Sequence, residues 1–306
     1  MAQVSINKRG EVKNPKGNRI RRFGVSDFII TLLLSILGIT ILYPFYNAVL
    51  VSMVPNTIYV RYQGLMLIPP AVTWDAYQFT FKSSLIWYGY RNSILVTLIG
   101  TTYNMLLTVL TAFALTKPMP GAKFFRFYMV FTMYFSGGLI PYYLLMKDLG
   151  LMNSLWSMIL PTGVNLMYTI IISNYFKSLP PSLEESAKID GASDWTTLIR
   201  IILPLSLPLL ATFTLYYAVE RWNEWYNAML FIKSVTKWPL QNVLRTIIND
   251  VNMLATQNIP GQEKPDIKGD AIKMSSIVVS MVPIMCLYPF LQRYFLSGLT
   301  LGAVKE

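Results

Sequence analysis

Apolar stretches without a single charged residue dominate this chain. They cover residues 28–60, 92–116, 127–146, 149–176, 201–219 and 274–292. Each is as long as the roughly 17–25 residues that a helix needs to cross a bilayer. Since lipid offers no hydrogen-bond partner to the backbone, such segments must be helical. The pattern predicts an all-α integral membrane protein with six transmembrane helices in one domain, residues 26–306.

The third and fourth stretches each contain a feature that weakens a continuous helix. The third, predicted from about Phe124 to Met146, contains Gly137 and Gly138 shortly before Pro141. Backbone groups freed there are tolerated only where they are buried or line a cavity, so either close helix packing or a bend beside a pore would explain them. The fourth helix is predicted from about Leu155 to Phe176, with Asn165 as its main polar interruption.

The segment that follows the fifth stretch carries polar and charged groups at membrane depth. If one helix continues from Tyr216 to Ile232, then Tyr216, Glu220, Asn223 and Asn227 share one of its faces. Because charges inside a bilayer are costly, these groups face a cavity or a partner. One interpretation is an internal pair between Arg221 and Glu224 or Glu220. The other is a substrate path, formed by Glu220, Arg221, Trp222, Asn223, Trp225, Tyr226 and Asn227.

Charge decides the orientation. Residues 1–25 form a basic tail with seven Lys or Arg directly before the first span, which predicts that both termini are cytoplasmic. This places residues 181–204 in the cytoplasm and the segment 233–273 outside the cell, although that outside segment also holds six Lys or Arg. The net charge of +11 is therefore attributed to membrane topology rather than to nucleic-acid binding.

The chemistry available to the chain is limited. It has no histidine, one cysteine (Cys286) and no phosphate-binding G-x-x-x-x-G-K-[ST] sequence. The sequence therefore predicts no catalytic residue, cofactor or metal, and any nucleotide is expected to bind a different chain.

Residues 180–204, PPSLEESAKIDGASDWTTLIRIILP, separate two of the predicted spans. Pro180 and Pro181 end the preceding helix, and Ser182 with Glu185 can form a capping box for a new one. Gly191 provides a turn, after which Ser193 or Asp194 can cap a second short helix. Two short helices that meet at a glycine predict a projection from the membrane, although a plain polar loop is equally compatible with these residues.

The spacing within this stretch resembles the EAA loop of binding-protein-dependent ABC importer permeases. Glu185-Ser186-Ala187, Gly191, Ile201 and Leu203-Pro204 keep every interval of that loop, with Ser186 in place of the first Ala. The resemblance implies that the loop docks into a groove of a cytoplasmic ATPase dimer. The coupling residues that it implies are Glu184, Glu185, Ser186, Ala187, Asp190, Gly191, Ala192, Leu203 and Pro204.

Further segments are similar to the carbohydrate branch of these permeases, in particular the subgroup for oligosaccharides and polysaccharide fragments. They are residues 135–153, the Trp222-Asn223-x-Trp225 segment and the ending at 298–305. The resemblance implies a bacterial cytoplasmic-membrane subunit that works with a second permease and an extracytoplasmic solute-binding protein. A permease for amino acids or peptides, an intramembrane enzyme such as a lipid-modifying transferase, and a structural or signalling protein remain as alternatives.

Overall fold

The fold was analysed in a computed structural model, which describes residues 25–55, 58, 67–256 and 269–303. All regular structure within these residues is helical, which confirms the all-α prediction. The chain divides into two units, residues 1–47 and residues 48–306. Most of the basic tail and the polar residues 257–268 lie outside the described residues.

Helix α1 runs from Val25 to Met53 and contains Pro44. Within residues 25–47 the large apolar side chains are exposed on every side of the helix, among them Leu34, Ile39 and Leu42. A helix that is apolar all round needs lipid or protein on every face, so this one is a membrane span.

Helices α2 (Asp75–Lys82) and α3 (Ser84–Ala114) follow. The second span was predicted to start at Asn92, but α3 already begins at Ser84. Trp87, Tyr88 and Tyr90, which precede the predicted start of this span, therefore belong to its first two turns. At Gly89, α3 approaches a later helix so closely that a Cβ atom would lie 3.0 Å from the Leu240 Cα.

The third predicted span is sharply bent. Helices α4 (Ala122–Tyr134) and α5 (Leu139–Asp148) meet at 113°. Gly138, with a φ of 83°, occupies the break in a backbone conformation that favours glycine. The Gly-Gly-x-x-Pro segment thus produces a bend, one of the two explanations that the sequence left open.

The fourth predicted span is not one helix. It consists of α6 (Trp156–Ile159) and α7 (Leu166–Ser178). The Asn165 Oδ1 accepts hydrogen bonds from the backbone N–H groups of Met167 (3.0 Å) and Tyr168 (3.3 Å), and so starts α7 as an N-cap. The prediction of a continuous helix was wrong because Asn165 caps a new helix instead of being tolerated inside an old one.

The region after α7 folds into a series of short helices and one longer one. These are α8 (Pro181–Ile189), α9 (Asp194–Thr197), a π-helical turn (Leu198–Ile202), α10 (Leu203–Leu205), α11 (Leu207–Trp222) and α12 (Tyr226–Phe231). Because α11 ends at Trp222, the predicted continuous face that joins Tyr216 to Asn227 does not form.

The described residues of the 233–273 segment, 233–256 and 269–273, are largely helical. A 3-10 turn (Val235–Lys237) leads into α13 (Leu240–Thr256), and the last helix, α14, covers Gly269–Ala303. Leu240, Val243 and Leu244 on α13 are buried with Ile86 and Trp222 in one apolar cluster. The sequence signal that was missed is the apolar spacing of 240, 243, 244 and 247, which is typical of an amphipathic helix.

Among the residues that the structure describes, three helices are long and apolar enough to cross a membrane: α1, α3 and the first part of α14, Gly269–Cys286. The count rises to as many as five if each of two bent pairs forms one span. One pair is α4 with α5, and the other joins Asp194–Leu205 to Leu207–Phe231 at 85°.

An apolar core packs the second half of the loop 181–204 against the rest of the protein. Its buried members come from α3, α7, the π-helical turn and α11, and they are Val109, Ala112, Phe113, Ile172, Phe176, Leu198, Ile202, Leu210 and Phe213. The helical segment after Gly191 is therefore packed against the rest of the protein.

Candidate functional site

The loop 181–204 begins with α8, which Pro181 starts in the first helical position, where the missing N–H costs nothing. No side chain caps this end, so the predicted capping box of Ser182 and Glu185 does not form. At the other end, the Ala192 N–H donates to the Ala187 carbonyl (2.8 Å) and the Gly191 N–H to the Lys188 carbonyl (3.0 Å). With Gly191 at a φ of 76°, this is a Schellman motif, which fixes the turn between the two short helices.

The second short helix continues into a tightly bent entry to α11. The Ser193 Oγ caps α9 by accepting from the Thr196 N–H at 3.2 Å, as predicted. In the π-helical turn, the Leu203 N–H donates to the Leu198 carbonyl, five residues back. Pro204 has no N–H to continue the ladder, and the chain bends by 85° around Ser206.

The predicted coupling residues are divided between the surface and the interior. Glu185, Ser186, Asp190 and Gly191 are exposed, and Ala187 is buried within its own subunit. Ala192 and Leu203 are half-buried, and Pro204 is exposed. Four large apolar side chains on this loop are also exposed, Leu183, Ile189 (87% exposed), Trp195 (61% exposed) and Ile199. Such exposed apolar groups, close to charged ones, are typical of an interaction surface.

Lys117, in the turn after α3, ties both short helices of the loop to the body of the protein. Its Nζ lies 2.7 Å from the Glu184 Oε2 and 3.2 Å from the Asp194 Oδ1, and 4.6 Å from the centroid of the Phe113 ring. Burial by itself lowers the pKa of Lys117, but the hydrogen bonds and charges of Glu184 and Asp194 outweigh it, so the pKa is raised. Lys117 therefore stays charged and holds α8 and α9 together. The sequence analysis did not identify this role.

Arg221 is almost completely buried, with 4% of its surface exposed. The guanidinium Nε and Nη2 donate to the Asn104 Oδ1 at 2.9 and 2.7 Å. Nη2 also donates to the carbonyls of Ile159 (3.2 Å) and Thr162 (3.0 Å), and Nη1 to that of Met158. None of the salt bridges between described residues involves Arg221. The predicted pair with Glu224 or Glu220 is therefore replaced by hydrogen bonds to α3 and to the C-terminal end of α6.

The neighbours of Arg221 complete this arrangement, which we call the Asn104–Arg221 hub. The Asn104 Nδ2 donates to the carbonyls of Thr162 and Gly163. The Tyr217 hydroxyl accepts from the Asn165 N–H at 3.0 Å and is hydrogen-bonded to the Thr108 Oγ1 at 2.7 Å. These bonds satisfy the backbone groups that the interruption between α6 and α7 leaves without helical partners.

The other predicted path residues fall into buried and exposed groups. Trp222 (5% exposed) donates its Nε1–H to the Ser280 carbonyl at 3.2 Å. The Oδ1 of Asn227 (6% exposed) accepts a hydrogen bond from the Tyr142 hydroxyl at 2.9 Å. Glu224, half-buried, accepts from the Asn227 backbone N–H at 3.0 Å. Exposed are Glu220, Asn223, Trp225 and Tyr226.

Two residues outside the predicted set contact the exposed group, the half-buried Tyr168 and the exposed Arg245. The Tyr168 hydroxyl donates to the Glu220 Oε1 at 2.6 Å, and the guanidinium carbon of Arg245 lies 4.6 Å from the centroid of the Trp225 ring. We call these six residues, Tyr168, Glu220, Asn223, Trp225, Tyr226 and Arg245, the aromatic–polar surface. Arg245 was missed because it lies on α13, in a segment that the sequence analysis treated as a loop.

The chain can now be compared with known proteins. The model of the family described as binding-protein-dependent transport system inner membrane component matches residues 89–301. The chain belongs to this family. It is thus an integral inner-membrane component of a transport system and not an enzyme.

Individual members of the family are closely similar to this chain. YtcP, a polygalacturonan/rhamnogalacturonan transport system permease protein of Bacillus subtilis, is 41% identical over 248 residues, which cover 78% of this chain and 84% of YtcP. The protein LplC of the same organism is 40% identical over 246 residues, 79% of this chain and 82% of LplC.

A solved structure matches the fold over most of its length. It is that of a bacterial ABC transporter involved in the import of the acidic polysaccharide alginate, and one of its chains aligns with a TM-score of 0.80 and 32% identity. The match covers 90% of this chain and 98% of the other.

Replacing Arg221 by Met should destabilise this permease strongly, because the Asn104 oxygen and the carbonyls of Met158 and Ile159 would lose the guanidinium that donates to them in a buried site. We expect a loss of at least about 2 kcal/mol, with an intermediate loss for Arg221→Lys, whose ammonium cannot reproduce the planar fork. The measurement is the midpoint of thermal unfolding in detergent. The matched control is Arg200→Met, at an exposed arginine of the π-helical turn. Equal midpoints for Arg221→Met and the control would contradict the assigned role of the hub.

Proposed function

We propose that this chain is a transmembrane permease subunit of an ABC importer that takes up an oligosaccharide, with its loop 181–204 as the ATPase-coupling loop. The observation that carries the proposal is the construction of this loop. Its α8 exposes charged and apolar side chains, while Leu198 and Ile202 on its second half are buried in the core shared with α3, α7 and α11. A force applied to the exposed half would therefore reach three spans directly.

The proposed topology has six spans and two cytoplasmic termini. It counts α1, α3, the bent pair α4–α5, the interrupted pair α6–α7, the segment from α10 to α12, and α14. Loop 181–204 then lies in the cytoplasm, where a separate ATPase dimer binds it. The 233–273 segment faces the opposite side, where an extracytoplasmic solute-binding protein delivers the substrate.

The 85° bend at Ser206 is the proposed hinge for alternating access. The π-helical turn and Pro204 weaken the helical ladder just before α11, so this point can change its angle at less cost than a regular helix. Beyond the bend, α11 leads to the Asn104–Arg221 hub. We propose that ATP-driven movement of α8 turns α11 about this bend and rearranges the surface beyond Trp222.

The proposed substrate path is the aromatic–polar surface. Trp225 and Tyr226 present flat apolar faces that suit the C–H side of a sugar ring, and Glu220 and Asn223 offer hydrogen bonds for hydroxyl groups. Arg221, Trp222 and Asn227, which the sequence also assigned to the path, are buried and bonded inside the subunit, so we give them a supporting role. A second permease, a related but different chain, would form the other side of the path.

Arg245 favours an acidic saccharide, although Glu220 gives the same surface a negative charge. The Arg245 guanidinium is exposed over Trp225, and no salt bridge between described residues engages it. An arginine in this position can bind a carboxylate with charge-assisted hydrogen bonds. The relatives agree with this, since YtcP is named for polygalacturonan/rhamnogalacturonan and the matched transporter for an acidic polysaccharide.

The proposed function is tested by purifying the tagged chain from its native membranes with every subunit that accompanies it. The complex is then reconstituted in proteoliposomes with its binding protein. We expect ATP-dependent uptake of uronate oligosaccharides, and weaker uptake of neutral oligosaccharides of equal length. Purification as an intact single chain, or uptake of amino acids or peptides in place of saccharides, would overturn the proposal.

Lys117→Met should lower the amount of substrate transported per ATP hydrolysed, because α8 and α9 would no longer be held to the end of α3. The fold should survive, since a partly exposed ion pair contributes only about 0–1 kcal/mol. Uptake and ATPase activity are measured together in proteoliposomes.

Lys117→Arg, which keeps the charge, should restore most of the coupling, and Lys147→Met serves as an exposed control elsewhere. A Lys117→Met complex with normal transport per ATP would show that the bridge has no part in coupling.

Arg245→Gln should weaken uptake of uronate oligosaccharides about tenfold, as expected for loss of a charge-assisted hydrogen bond of about 1.5–3 kcal/mol. Uptake of a neutral oligosaccharide should change little. Trp225→Ala should impair both, because it removes the apolar face. Trp156→Ala, at another exposed tryptophan, is the control. If Arg245→Gln affects both saccharides equally, recognition of the carboxylate by Arg245 is ruled out.

A further inference from the structure

A groove runs between α4 and α7. Its volume is about 200 Å³. Met129, Val130 and Ile170 form an apolar wall, whereas Arg126 and Lys177 stand at the end near Leu115. Arg126 lies in the second turn of α4 and Lys177 in the last turn of α7, so both cations are at the end where these helices meet the loop 181–204.

The two cations at this end are available to a ligand. The Arg126 Nη2 donates to the Leu115 carbonyl at 3.0 Å, which holds the guanidinium beside the groove and leaves most of its N–H groups for another acceptor. Neither Arg126 nor Lys177 takes part in a salt bridge between described residues. The groove therefore combines an apolar wall with two positive charges that the described part of the chain does not neutralise.

Ser173 adds a polar residue to the lining of the groove. It is 3% exposed, and its buried Oγ is one of seven side-chain atoms without a hydrogen-bond partner in the described part of the chain. An unsatisfied buried hydroxyl costs about 1–3 kcal/mol. On the same helix, Ser178 bonds to the carbonyl of Tyr175 (2.7 Å), as serines in helices commonly do. A polar group within the groove would satisfy the Ser173 hydroxyl.

We infer that this groove binds one anionic phospholipid. The headgroup phosphate lies between Arg126 and Lys177, an ester oxygen of the lipid accepts from the Ser173 hydroxyl, and an acyl chain follows Met129, Val130 and Ile170. A small soluble anion would use the cations but leave the apolar wall empty. Basic sites between helices at the cytoplasmic side of membrane proteins suit such headgroups. The assignment of this lipid to the cytoplasmic leaflet rests on the proposed function, because it follows from the cytoplasmic location of the loop 181–204.

The test is binding of phosphatidylglycerol to the purified importer complex in a neutral detergent, measured by native mass spectrometry. Phosphatidylcholine and glycerol 3-phosphate are titrated in parallel, to separate an anionic lipid from a lipid in general and from a free phosphate. We expect one tightly held phosphatidylglycerol for this site. Arg126→Gln with Lys177→Gln should weaken it about tenfold or more, since each basic group contributes about 1 kcal/mol, or about fivefold.

Matched variants separate charge from folding. Lys123→Gln, on the same helix but outside the groove, should leave binding unchanged, and Arg126→Lys with Lys177→Arg should retain most of it. Ser173→Ala should weaken it to a lesser extent. Equal binding of both lipids, full competition by glycerol 3-phosphate, or no difference between the double Gln variant and Lys123→Gln would overturn the inference. Because this assay requires no transport, its result is independent of whether the chain imports a saccharide.

Discussion

A buried guanidinium that pairs with no carboxylate among the described residues holds three parts of this permease together. Arg221 donates to Asn104 on α3 and to carbonyls at the end of α6, and it projects from α11. A membrane-embedded charge is tolerated when surrounding dipoles replace the water that it has lost. Gly100 makes this approach possible, since a Cβ atom there would lie 3.0 Å from the Arg221 Cδ. Burial of the Arg221 charge has an electrostatic cost, but its hydrogen bonds fix the junction between the interrupted helices.

The helix interruptions connect the loop 181–204 to the aromatic–polar surface, the two regions that we propose to be functional. A set of straight helices would pass force only through side-chain packing, whereas here the chain itself runs from the loop 181–204 through the bend at Ser206 into α11. At one end of this lever, Lys117 binds Glu184 and Asp194. At the other end, α11 stops at Trp222, directly before Asn223 and Trp225. Lys117 therefore anchors the loop to the turn after α3, and Arg221 anchors the far end of α11 to Asn104 on α3.

The 220–227 segment contains both buried and exposed residues. One short sequence can therefore hold helices of the subunit together and also form the proposed substrate path. Trp222 and Asn227 are bonded within the subunit, and Glu220, Asn223, Trp225 and Tyr226 face outward. The break at Asn223 separates these roles, because it releases the residues after Trp222 from the helical register. Arg245 on α13 then reaches Trp225 from a different helix.

The sequence by itself determined the helical class, most of the apolar stretches, the two short helices around Gly191 and the family, because these depend on local composition and fixed spacing. Period and length could not show where helices break, since Asn165 is equally compatible with an N-cap and with a polar group inside a span. Only the tertiary structure decided the partners of Arg221, because its four acceptors belong to residues that lie 59–117 positions away along the chain. It likewise decided that α13 is a packed helix that carries Arg245. The predicted site and the site in the structure differ because contacts between residues far apart in the sequence are not encoded in local sequence patterns.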